Sequence, residues 1–208
     1  MIFARSSLLF KMKRLSKLGR LLRKKKVRLQ MKIQAMTNYF RRRFALPILL
    51  FLILLLDGSL QVMLLKNLGE VNYSMTSSLT IIALTILSIY CERVNLLYIS
   101  AIVLGFIFDT YYSRVLGVNL FIMPLICFTT RYFAQHFRIN FYSVWFWTMI
   151  VYMSYGHLIY FIFSIFNLEK PQYGIFLFQH LLPSILFNGL MAFILNYCLE
   201  KFADWINK

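Results

Sequence analysis

Four ionisable side chains stand inside long apolar stretches of this 208-residue sequence: Asp57, Asp109, His157 and His180. An ionisable group at membrane depth costs about 3 kcal/mol on insertion scales, so each implies a compensating role. Two carboxylates and two imidazoles are suitable types for zinc ligation or proton transfer. The spacing argues otherwise, because each stands alone on a different apolar stretch and no HExxH-like pattern occurs. Neutral polar residues accompany them: Gln61 lies four after Asp57, Asn188 four after Ser184, and Asn119 near the start of the fourth stretch. On the third stretch Asn95, Tyr98, Ile102, Gly105 and Asp109 fall on one helical stripe, where Gly105 predicts the close approach of a neighbouring helix. Three readings stay open: a metal or catalytic centre, carboxylates that cap neighbouring backbone with histidines bonded between helices, and a polar pocket or partner surface opening to the outside. The sequence has no Walker A loop, GxGxxG or GxSxG, and too few ionisable groups for an ion pump.

The elements that must position these groups are six apolar segments, at about 44–65, 74–91, 94–112, 115–133, 143–166 and 174–199. Pro124 lies within the fourth and Pro183 within the sixth. A spanning helix needs roughly 20 apolar residues so that its backbone is satisfied without water. The expectation is an all-α integral membrane protein, a six-helix bundle. A soluble reading leaves no residues for a surface, since 60% of the chain is apolar and 14% is charged. Residues 1–43 hold 15 of the 23 Lys and Arg and no acidic residue, whereas 44–208 holds 8 basic and 7 acidic residues. The division is therefore a basic arm, 1–43, and a membrane domain, 44–208. With the N-terminus inside, 20 basic residues are cytoplasmic and Lys66, Arg114 and Lys170 are outside, so both termini are expected in the cytoplasm. Trp145, Trp147 and Trp205 then fall at the inner interface, and Cys91, Cys127 and Cys198 read as reduced, packed thiols.

Within the arm, Leu8, Met12, Leu15 and Leu22 recur at helical spacing among the cations. A basic amphipathic helix of this kind lies on anionic inner-leaflet lipid, the polyanion nearest a membrane-tethered segment, in preference to nucleic acid or a protein partner. Met1, Met31 and Met36 are alternative starts, and the later ones keep enough charge to orient the first span.

At the third and fourth segments, Gly105-x-x-x-Asp109, then Leu116-Gly117-Val118-Asn119 and Pro124, resembles the bacterial rod-shape-determining MreD family. Asp57 late in the first segment and Leu182-Pro183-Ser184-Ile185-Leu186-Phe187-Asn188 in the last are similar to it as well. The resemblance implies a non-enzymatic, multi-pass component of the bacterial cell membrane without cofactor, which supports cell elongation and peptidoglycan synthesis. It also implies as partners an MreC-like single-pass protein and the RodA complex with its class B penicillin-binding protein. On this reading Asp57, Gly105, Asp109, Leu116, Gly117, Asn119, Pro124, Pro183 and Asn188 are structural or partner-binding residues. The alternatives are the substrate-binding component of an energy-coupling-factor vitamin transporter, with Asp57, Asp109, Asn119, His157 and His180 around an outward pocket, and a membrane enzyme.

Overall fold

The computed structural model describes residues 44–64, 76–111, 116–165 and 172–207. The basic arm and its proposed amphipathic helix lie outside the described residues, as do Lys66, Arg114 and Lys170. Ala45–Lys208 forms one unit, the helical membrane domain. Six helices account for nearly all of its described residues: α1 (Phe44–Leu64), α2 (Leu79–Tyr90), α3 (Val94–Tyr111), α4 (Val118–His136), α5 (Phe141–Ile165) and α6 (Tyr173–Asn207). No strand occurs among the described residues.

Four of these, α1, α3, α5 and α6, are long and apolar enough to cross a membrane. The expected second segment, 74–91, is shorter than anticipated, because helix begins only at Leu79 and runs 12 residues. At 1.5 Å per residue it rises about 18 Å, well short of a bilayer core of about 30 Å. Its position resolves the conflict. Leu79 through Ser88 are all buried, so α2 is the central helix, enclosed mainly by α4, α5 and α6. Non-helical backbone leading into it, 76–78, is tolerated where protein surrounds it. Helix α4 is long enough at 19 residues, but Asn119, Arg131, Gln135 and His136 keep it outside the set of strongly apolar helices. Pro124 lies within α4 without ending it.

The outside of the bundle is as apolar as its core. Phe121, Leu125, Phe128 and Tyr132 recur along the exposed face of α4, and Ile48, Leu52, Leu55 and Leu56 are exposed on α1. Exposed apolar bands of this extent suit lipid rather than water. The buried face of α3 differs from the expected stripe: it centres on Leu97, Ala101 and Leu104, with Gly105 and Asp109 at its edge, while Asn95 and Ile102 face outward. Successive positions at 100° place residues 95 and 102 just beyond the arc that α4 covers.

Helix α6 is 35 residues long and contains one irregularity, a π-helical turn over Phe176–Leu181 in which Leu182 donates its N–H to the Leu177 carbonyl, five residues back. Pro183 follows at once. Proline has no N–H and its ring crowds the carbonyl four residues earlier, so a widened turn before it removes the clash. Two of the tryptophans make packing contacts: Trp145 donates to the Gly189 carbonyl at 2.9 Å and Trp147 stacks on Phe133. Cys91 and Cys127 are buried, but Cys198 is exposed on α6.

Candidate functional site

Helices α2 and α4 both begin without a side-chain cap from their own N-cap residues, Ser78 and Gly117. The first turn of a helix leaves N–H groups unpaired, and at membrane depth no water is present to take them. In both cases a buried aspartate on the preceding helix supplies the acceptor.

At the first corner, Asp57 of α1 accepts from the Ser77 hydroxyl (2.6 Å) and Leu79 N–H (3.0 Å) through Oδ1, and from Thr80 N–H (3.2 Å) and hydroxyl (2.9 Å) through Oδ2. At the second, Asp109 of α3 accepts from Asn119 N–H (3.1 Å) and its side-chain amide (2.8 Å) through Oδ1, and from Gly117 (2.9 Å) and Leu120 (3.1 Å) N–H groups through Oδ2. Donors come from residues 77, 79 and 80 in one corner and 117, 119 and 120 in the other, the same spacing shifted by one position relative to the N-cap. Four donors fill the acceptor sites of a carboxylate, and the negative charge lies at the positive end of each helix dipole. Asp57 and Asp109 are 3% and 1% exposed, which makes these contacts their main compensation for burial.

Two glycines make the second corner possible. A Cβ on Gly105 would sit 2.6 Å from the Asn119 carbonyl oxygen and 2.8 Å from the Leu120 Cα, closer than real Cβ contacts allow. Gly117 holds φ of 101°, the left-handed region, at the turn into α4. Leu116 is exposed beside it. At the first corner α6 takes the place of the close glycine: Thr76 donates its N–H to Ser184 Oγ (2.9 Å), Ser78 N–H donates to Asn188 Oδ1 (3.0 Å), and Asn188 Nδ2 donates to the Thr76 carbonyl (2.7 Å). The shared face expected for Ser184 and Asn188 thus clamps the segment that leads into α2.

The two corners face one cavity of about 360 Å³. Tyr155 of α5 lines it and donates its hydroxyl to Asn119 Oδ1 at 2.8 Å, linking α5 to the Asp109 corner. His180, on the π-helical turn, also lines it. His157 does not: its Nδ1 pairs with the Met153 carbonyl and its Nε2 with the Tyr173 hydroxyl at 3.0 Å, joining α5 to α6. The four ionisable residues therefore do not converge. Among the described residues no group of three or more His, Cys, Asp or Glu is arranged to hold a metal.

The opposite end of the bundle holds two arginines that count in the sequence only as orienting charges, and two asparagines to which the sequence assigns no role. Arg131 donates to the Ser88 and Cys91 carbonyls (3.3 and 2.6 Å), and Arg93 donates to the Ile206 carbonyl (3.3 Å). Asn207 donates to the Tyr90 carbonyl and accepts from Glu92 N–H, and Asn196 donates to the Phe141 carbonyl. Arg131, Arg93 and Asn207 serve the negative ends of α2 and α6, the counterpart of the carboxylates at the other end, while Asn196 ties α6 to the start of α5. The available signal was weak: an Arg or Asn late in an apolar segment.

No curated protein and no solved structure matches the chain. The profile of the family described as rod shape-determining protein MreD matches residues 38–206, which include both corners and all six helices but for Asn207. On that match, extending over well more than half of the sequence, the chain belongs to the MreD family, a family of rod-shape-determining membrane proteins.

Proposed function

We propose that this chain is a non-enzymatic scaffold of the bacterial cell-elongation machinery, holding an MreC-like single-pass partner and, through it, supporting RodA with its class B penicillin-binding protein in peptidoglycan synthesis. Family membership supports the shape-determining role and the bacterial cell membrane as its place. The observation that carries the non-enzymatic reading is the engagement of Asp57 and Asp109, each by four donors within the fold. A general acid or base needs a lone pair or proton aimed at substrate, and here the carboxylates are occupied as caps. The nine residues from Asp57 to Asn188 singled out in the sequence act, on this proposal, by fixing the corners that present a partner surface. Both termini lie in the cytoplasm, and residues 1–43 rest on anionic inner-leaflet lipid ahead of the membrane domain 44–208; the 15 cations of the arm support this placement.

Affinity purification in mild detergent, with associated proteins identified by mass spectrometry, tests the proposal. The wild-type chain is expected to retain an MreC-like partner. Asp109→Ala is expected to reduce that recovery and to alter cell width in a strain relying on the variant. Normal shape with undiminished recovery contradicts the role assigned to this corner.

A further inference from the structure

The cavity between the two corners is not needed to cap either helix, and its lining has a consistent chemistry. One wall is neutral and hydrogen-bonding: Thr76, Ser78, Asn119, Tyr152 and Tyr155, with Gln61 of α1 at the side. Another part of the lining is aromatic: Phe108, Tyr160, Phe163 and Phe176, with Tyr160 stacked on Phe176. Among the described residues no Asp, Glu, Lys or Arg lines it, and the two nearby carboxylates are filled by their own donors. A charged occupant would therefore be desolvated with only the His180 imidazole among the described lining residues to offset it. Thr76 and Ser78 are already held by α6, and Asn119 by Asp109 and Tyr155, so a purely hydrocarbon occupant would cover the remaining acceptor capacity of these groups without using it.

Two features of the backbone serve the space. The π-helical turn Phe176–Leu181 contributes Phe176, His180 and Leu181 to the lining, and π turns occur frequently at functional sites. Gly156 of α5 lies at the cavity edge against α6, where a Cβ would stand 2.7 Å from the movable Cδ1 of Leu181. The volume, about 360 Å³, lies in the range of small-molecule sites.

We propose that this cavity binds a small uncharged molecule that combines a ring with several hydroxyl or amide groups, its ring face against Phe163 and Tyr160 and its polar edge toward Thr76, Ser78 and Asn119. The inference goes beyond the scaffold reading and does not depend on it, since it rests on the cavity alone.

The test uses the full chain in lipid nanodiscs and matched neutral and charged probes: phenyl β-D-glucoside against phenyl β-D-glucuronide, and riboflavin against flavin mononucleotide. Each pair shares its rings and differs by a carboxylate or phosphate. A bound ligand raises the unfolding midpoint by mass action. At least one neutral probe is expected to raise it saturably, with its charged counterpart at least tenfold weaker. Ile159→Trp, which fills the cavity from α5 away from both caps, is expected to abolish the shift. Phe163→Ala, which removes a ring without filling space, is expected to weaken binding at least fivefold and serves alone if the tryptophan variant does not fold. No shift with either neutral probe, equal shifts with charged counterparts, or wild-type binding in the folded variants overturns the proposal.

Discussion

Two helix N-termini at the same end of this bundle are capped by a carboxylate on the preceding helix, yet the corners are built differently. Asp109 reaches residues only 8 to 11 positions ahead, and three of its four donors are backbone N–H groups. Asp57 reaches 20 to 23 positions ahead, and two of its four donors are hydroxyls. The second corner closes on itself, with Gly105 admitting the α4 backbone and Gly117 turning into it. The first depends on a third party, since Ser184 and Asn188, more than 100 residues away, hold the approach to α2. A local corner and a tertiary corner thus perform the same electrostatic task, and they should fail in different ways.

The largest effect is expected for Asp109→Ala. It strands three first-turn N–H groups and an amide in a dry environment at about 1 kcal/mol or more each, so chemical unfolding in nanodiscs should show a loss of about 3 kcal/mol or more. Asp57→Ala should cost less, about 2 kcal/mol, because the Ser77 and Thr80 hydroxyls can turn toward other acceptors and only two N–H groups are left. A larger loss for Asp57→Ala than for Asp109→Ala would break the contrast between backbone and hydroxyl donors. Gly105→Ala should cost about 2 kcal/mol by overpacking against backbone that cannot yield. Gly117→Ala, with open space around it but a positive φ, should cost about 1 to 2 kcal/mol. The smallest and most discriminating quantity is a coupling energy. Asp57 and Asn188 hold adjoining residues and should deviate from additivity by about 0.5 kcal/mol or more, whereas Asp109 and Asn188 should add.

The second corner was legible in the sequence because its parts are close: Gly105, Asp109, Gly117 and Asn119 lie within 15 residues, and helical period alone puts the first two near one face. The first corner was legible only as fragments. Asp57 and the pair Ser184 and Asn188 could be singled out, but nothing local says that they meet at Thr76 to Ser78. The six helices followed from hydropathy, while the brevity of α2 did not, since a fully enclosed helix is as apolar as a spanning one and its length is set by where the cap intercepts the chain. The roles of Arg131 and Arg93 were hidden for a related reason. Charge near a helix end reads as orientation, and only the structure reveals the carbonyls it serves. The cavity needed five helices in place before its neutral polar groups and its aromatic rings came to line one space.

Amide hydrogen exchange in nanodiscs tests the central claim, that each aspartate secures the first turn of the next helix. Asp109→Ala is predicted to raise exchange at residues 117–120 and leave 77–80 protected, and Asp57→Ala to do the reverse at 79–80. Unchanged protection of both first turns in both variants, or a uniform loss in each, would contradict that claim.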